Sequence, residues 1–180
     1  MMINHNTLLY NLLDRTVNID FQNNIWIANY TEGDLFELVA KLNDAKSKLP
    51  TAYPIIWLQS TYTVERRKQE GITKLTNCKF FLITLGSKTA RYKNRFDSTY
   101  EHMLYPLLNE MDEKFRKTKG ITAADNDSYM VFPLNDVAKD QNGNPIPELT
   151  AITEVWDAVL FETDLTITND CFPDLIIKKK

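Results

Sequence analysis

Residues 96–117, FDSTYEHMLYPLLNEMDEKFRK, decide how the rest of the chain must fold. The apolar positions Phe96, Tyr100, Met103, Leu104, Leu107, Leu108, Met111 and Phe115 are spaced by steps of three, four and one. That spacing predicts a helix with one buried stripe. Asp97 or Ser98 offers a short side-chain oxygen to cap its start, and Gly120 closes its end after Lys114, Arg116, Lys117 and Lys119. Pro106 falls opposite the stripe, which predicts one kinked helix. An amphipathic helix of this length needs a sheet or a second helix under its apolar side, and the flanking segments supply a sheet.

Upstream, residues 7–17 have helical spacing through Leu8, Leu9, Leu12, Leu13 and Val17 within a helical lead-in over 1–23. NIWIANY at 24–30 predicts a strand. Residues 35–49 predict a helix buried through Leu35, Phe36, Val39, Leu42, Ala45 and Leu49; Asp34 caps it and Glu37 completes a capping box. YPIIWLQ at 53–59 and NCKFFLITLG at 77–86 read as interior strands, apolar on both faces. The polar, basic insert between them, residues 60–75, reads as a hairpin arm leaving the body.

Downstream, YMVFP at 129–133 predicts a strand, 137–147 with Asn142-Gly143 a loop, and 154–168 a period-two strand interrupted at Asp157 and Thr163 by a bulge or a break. Residues 172–180 read as an exposed tail. With 180 residues and no repeat or linker, the elements predict one α+β domain. It has a mainly antiparallel sheet, two or three helices packed on one face, and a protruding β-hairpin arm.

The net charge of -3 conceals a split. Residues 61–95 carry nine Lys and Arg against Glu65 and Glu70, whereas residues 121–173 carry Lys139 against ten acids. Arg66, Arg67 and Lys68, then Lys88, Arg91, Lys93 and Arg95, flank Tyr62 and Tyr92. Such a stretch suits a polyanion, a charge-protected sheet edge, or the acidic surface of a neighbouring copy. The third reading ranks first because the same chain carries the matching acidic half.

Signals for chemistry are sparse. His5 and His102 stand on different helices, without metal-ligand spacing, and read as solvated. Cys78 and Cys171 form no CxxC and read as reduced thiols, with Cys78 a small core side chain. Gly86-Ser87-Lys88 is neither a nucleophile elbow nor a phosphate loop. Asp136, Asp140, Asp157 and Asp164 imitate a nuclease cluster, but the E-x-K that such nucleases often use is absent near them, and acids in turns and on the wet face of a strand need no further reason. The N-terminal MMINHNTLLYNLLDR lacks the basic n-region of a signal peptide, and no apolar run reaches the ~20 residues of a membrane span. These readings assign no catalytic group, metal or cofactor.

In order and pattern, residues 31–168 resemble phage and prophage structural proteins of the neck and tail end, of the tail-terminator or tail-completion type. LVAKLNDAKSKL before TAYPIIWL, the polar insert, KFFLITLGSK, RYKNRFDSTYEHMLYPLLNEM and the late ITEVWDAVLFETDLTI carry the likeness. The resemblance implies a non-enzymatic subunit, in the virion and assembled in the host cytoplasm, that forms a hexameric or larger homo-oligomeric ring. Its neighbours would be portal, neck or tail proteins, with passing contact to DNA. It also implies contact roles for Glu65, Arg66, Arg67 and Lys68 on the arm and for Lys88, Arg91, Lys93 and Arg95 on the loop. The alternative is a nucleic-acid-binding module using residues 61–95.

Overall fold

The computed structural model describes residues 4–21, 23–46, 53–87, 89–124, 129–133 and 156–168. The anticipated loop at 137–147 and the tail at 172–180 lie outside them. The chain opens with α1 (His5–Leu13), the hairpin β1 (Asn18–Phe21) and β2 (Asn24–Ile27), then β3 (Asn29–Gly33) and α2 (Leu35–Lys46). It continues through β4 (Ile55–Gln59), β5 (Thr63–Arg67) and β6 (Ile72–Leu85) into one helical rod. The rod comprises α3 (Tyr92–Arg95), a π-helical stretch (Phe96–Leu104) and α4 (Tyr105–Lys117). Last come β7 (Ile121–Ala123), β8 (Tyr129–Pro133) and β9 (Trp156–Thr168).

The fold is α+β, and its sheet is built on two long antiparallel strands, β6 and β9. Two shorter strands run end to end along the outer side of each. β4 and β5 flank β6, while β8 and β7 flank β9. The parallel pair β3–β4 is the exception, and α2 makes the crossover between them.

Alternation along the strands sorts the core onto two faces. Ile56, Leu58, Phe80, Leu82, Val159 and Phe161 meet α1 and the rod, where Leu9, Leu13, Tyr100, Leu104, Leu107, Met111 and Phe115 are all buried. Ile55, Trp57, Ile83, Trp156 and Ala158 form a second cluster on the other face with Leu38 of α2. Two helices therefore share one face and the third covers the opposite one. The capping box of α2 forms as its sequence requires. The Glu37 amide donates to Asp34 Oδ1, and the Asp34 amide donates to Glu37 Oε2, both at 3.0 Å. Leu35 packs against the sheet as expected, but Leu38, outside the expected set, is buried and Phe36 is 66% exposed; the side chains of Val39, Leu42, Ala45 and Leu49 lie outside the described residues.

The rod buries the stripe read from its sequence, with two local departures. It begins at Tyr92, so neither Asp97 nor Ser98 caps it; the Ser98 hydroxyl donates to Asn94 O at 2.7 Å within the helix. Before the half-buried Pro106 the helix widens, and the Tyr105 amide reaches back five residues to Tyr100 O. Proline has no N–H and its ring crowds the carbonyl four residues back, so a wider turn before it relieves that crowding. Gly120, at φ 85°, lets the chain reverse into β7 as expected.

β9 runs unbroken through both Asp157 and Thr163. The bulge lies in its partner, where Thr76 and Asn77 of β6 oppose Asp164 alone. Asn77 takes a left-handed φ of 60°, and its amide donates to Asp164 Oδ1 at 2.9 Å. β6 is continuous across residues 72–85, so the returning strand of the hairpin and the core strand are one element.

Candidate interaction surface

The insert at 60–75 forms the hairpin β5–β6, turning through Lys68–Gly71. Every residue of β5 is exposed, and among the described residues its outer edge pairs with nothing. The inner strand is held more firmly. Ile72–Leu75 of β6 lies between β5 and β9, and Leu75 is fully buried. The hairpin is therefore the rim of the sheet.

Charges along the rim are unequal in their commitments. Arg67 contacts Glu65 at 2.8 Å and Glu70 at 3.6 Å. That hydrogen bond and charge hold Glu65 below the usual carboxylate range, although both groups stand in water and the pair stabilises little. Arg66 and Lys68 form no ion pair among the described residues, and both are exposed. They are the cations on the rim left for an external partner.

The second sequence-derived group divides. Arg91 and Lys93 are exposed at the start of the rod, and Lys88 lies outside the described residues. Arg95 is a correction: it is buried, and its guanidinium is ion-paired with Asp157, whose side chain has no exposure. Asp157, expected on a wet strand face, points inward because it shares the face of Val159 and Phe161. Arg95 Nη2 also donates to Trp156 O at 3.2 Å, and the Tyr100 hydroxyl donates to Asp157 Oδ1 at 3.2 Å. Burial and the carboxylate together raise the Tyr100 pKa. Gly86 lies against this pair. A Cβ there would stand 2.9 Å from Asp157 Oδ2 and 3.0 Å from Arg95 Nη2, too close for any larger residue.

The same pairing accounts for part of the charge split. Lys74 meets Asp164 and Lys79 meets Glu162, both at 3.5 Å, and Arg95 meets Asp157. Basic β6 and acidic β9 are strand neighbours and the start of the rod lies against β9, so three bases of the basic segment are matched by acids of the acidic one. The other seven acids of residues 121–173 lie outside the described residues.

Tyr62 is not free to stack on a base. It is half-buried, its ring meets His5 edge-on at 5.9 Å, and its hydroxyl donates to Glu32 Oε1 at 3.4 Å. Glu32 also accepts from Asn6 Nδ2 at 2.6 Å and from the Tyr30 hydroxyl at 3.2 Å. His5, expected in solvent, is 9% exposed at the first turn of α1, with Nε2 3.3 Å from the Tyr62 oxygen. Only the meeting of three distant segments makes this cluster. Its sequence carried no signal beyond one histidine on an amphipathic helix.

Cys78 is fully buried beside the cluster, and burial pushes its thiol up to about 12. The thiolate is the reactive form, so a Cys171→Ser protein will leave Cys78 untouched by a disulfide reagent at pH 8 until denaturant is added. Rapid native labelling would show that the sheet opens locally at β6. Among the described residues, no three His, Cys, Asp or Glu side chains gather as a metal site would require, and no helix is long and apolar enough to cross a membrane. The chain matches no protein-family model, and no curated protein matches it.

Proposed function

We propose that this chain is a non-catalytic structural subunit of a bacteriophage particle. It closes a homo-oligomeric ring at the head–tail junction or tail end, in the manner of a tail terminator or neck protein. The observation that carries the reading is β5, a wholly exposed sheet rim that with the turn beyond it carries Arg66 and Lys68, two cations in no ion pair among the described residues. The order of elements, resembling neck and tail-end proteins, supports the place in the particle.

An open edge strand offers a row of backbone donors and acceptors to another chain. Two copies of β5 are poor mates for each other. Any register that overlaps the turn end of the strand sets Arg66, Arg67 and Lys68 of one copy against those of the other, and like charges placed across a strand pair repel. The contact is therefore head-to-tail, with the rim of one copy meeting a different, acidic surface of the next. Such contacts close a ring when the rotation per subunit divides the circle. Portal, neck or tail proteins then stack on the ring, which is built in the host cytoplasm and ends in the virion.

Mass photometry of the full chain at low salt is expected to show rings, and Arg66→Glu with Lys68→Glu to shift the population to monomers. Rings persisting in that double variant would remove the rim from the contact. Monomers of the unaltered chain at every concentration would overturn the assembly reading. A salt-dependent shift of short duplex DNA by those monomers would favour the nucleic-acid-binding alternative, since neutralising phosphates releases counterions.

A further inference from the structure

We propose that His5, Tyr62 and Glu32 form a pH-sensitive latch that fastens the first turn of α1 to the root of the β5–β6 hairpin and loosens in acid. The His5–Tyr62–Glu32 contacts lie within one chain, so the His5 variants test the latch whether or not rings form.

The geometry sets the direction of the response. The Tyr62 hydroxyl donates to Glu32 Oε1, and we assign the imidazole hydrogen to His5 Nε2, which then donates to the Tyr62 oxygen. Nδ1 is then a bare acceptor, buried and without a partner among the described residues. A neutral ring tolerates this arrangement. A protonated ring would place a second N–H at that position, with nothing to receive it and little water to solvate the charge.

The groups around the ring come from every neighbouring element. Asn6 lies on α1 itself, Tyr30 and Glu32 on β3, Tyr62 in the link before β5, and Arg66 on β5, with Cys78 of β6 behind the tyrosines. Glu32 alone would favour a cationic ring. Its oxygens already accept from Asn6, Tyr30 and Tyr62, and Tyr62 stands between it and the imidazole. Burial and the Arg66 guanidinium oppose the proton and prevail, holding His5 below its ordinary 6.5.

A histidine whose folded pKa is depressed stabilises the fold fully above 6.5. That contribution falls as pH drops through 6.5 towards the folded value, and levels off below it. The first turn of α1 registers the loss first, because His5 is a buried side chain there and the turn is otherwise fastened at Asn4, whose Oδ1 accepts from the Asn6 amide and whose carbonyl accepts from the Leu8 amide. Leu9, Leu12 and Leu13 keep the remainder of α1 on the sheet.

Hydrogen-exchange mass spectrometry of the full chain between pH 7.5 and 5, corrected for intrinsic exchange, tests the latch. Peptides covering 5–13 are expected to exchange faster in acid, about tenfold for each pKa unit of depression. His5→Phe keeps a ring that cannot titrate and is expected to flatten the pH response. Arg66→Gln removes the opposing charge and is expected to shrink it. If His5→Phe does not fold, His5→Gln, which keeps an N–H donor and cannot titrate, decides. A pH response unchanged in His5→Phe or His5→Gln, or equal protection of 5–13 in the unaltered protein at both pH values, would overturn the proposal.

Discussion

Arg95→Ala will destabilise the protein by about 3–5 kcal/mol, the cost of leaving a buried charge without its partner. That is a large share of the roughly 5–15 kcal/mol that holds a domain together. Asp157 has no exposed side-chain surface and relies on Arg95 and Tyr100 for its contacts, while its Oδ2 has no partner among the described residues. Without the guanidinium, one hydroxyl is left to face a carboxylate packed against Gly86. A urea titration reads the loss as a lowered midpoint at constant slope. Arg95→Met with Asp157→Leu is expected to recover most of it, since an apolar pair of similar volume removes both desolvation penalties. A loss below about 1 kcal/mol in Arg95→Ala would show that this pair does not anchor the rod to β9.

Phe115→Ala is the second large effect, expected to cost about 3–5 kcal/mol and to lower the melting temperature by roughly 10 °C. Phe115 is fully buried near the end of α4, with its ring 5.4 Å from that of Phe80 on β6. Deleting it opens a cavity between the rod and the middle of the sheet, where neighbours cannot collapse inward without moving a strand. Phe36→Ala is the internal contrast. That ring is 66% exposed on α2, and its loss is expected within about 0.5 kcal/mol. Equal effects at the two positions would mean that α2 packs through a different side from the one seen.

These contrasts mark the boundary between local and long-range information. The stripe from Phe96 to Phe115 was legible because helical periodicity is a property of neighbouring residues, and a single stripe has one place to go. The capping box at Asp34 and Glu37 was legible for the same reason. Leu38 and Phe36 were not, because which side of a short helix is covered depends on where the crossover from β3 to β4 sets it down.

Electrostatics were the least readable. Counting charges along the chain placed Arg95 with Arg91 and Lys93, although the helix turns it inward to a carboxylate 62 residues away. The split into basic and acidic segments likewise looked like surface for a neighbour, while β6 brings Lys74 and Lys79, and the rod brings Arg95, to acids of β9. The sequence by itself determined the rod, the apolar strands β4 and β6 and the exposed hairpin, because each rests on spacing over a few residues. It did not determine the hairpin β1–β2, where the helical lead-in read over 1–23 ends at Leu13 and the strand read at 24–30 divides into β2 and β3. Tertiary structure alone decided which charges are buried, that Arg66 and Lys68 form no ion pair among the described residues, and that His5 meets Tyr62 and Glu32. Those outcomes depend on strand pairing across 26 to 87 residues, and no local pattern records which strand will lie beside which.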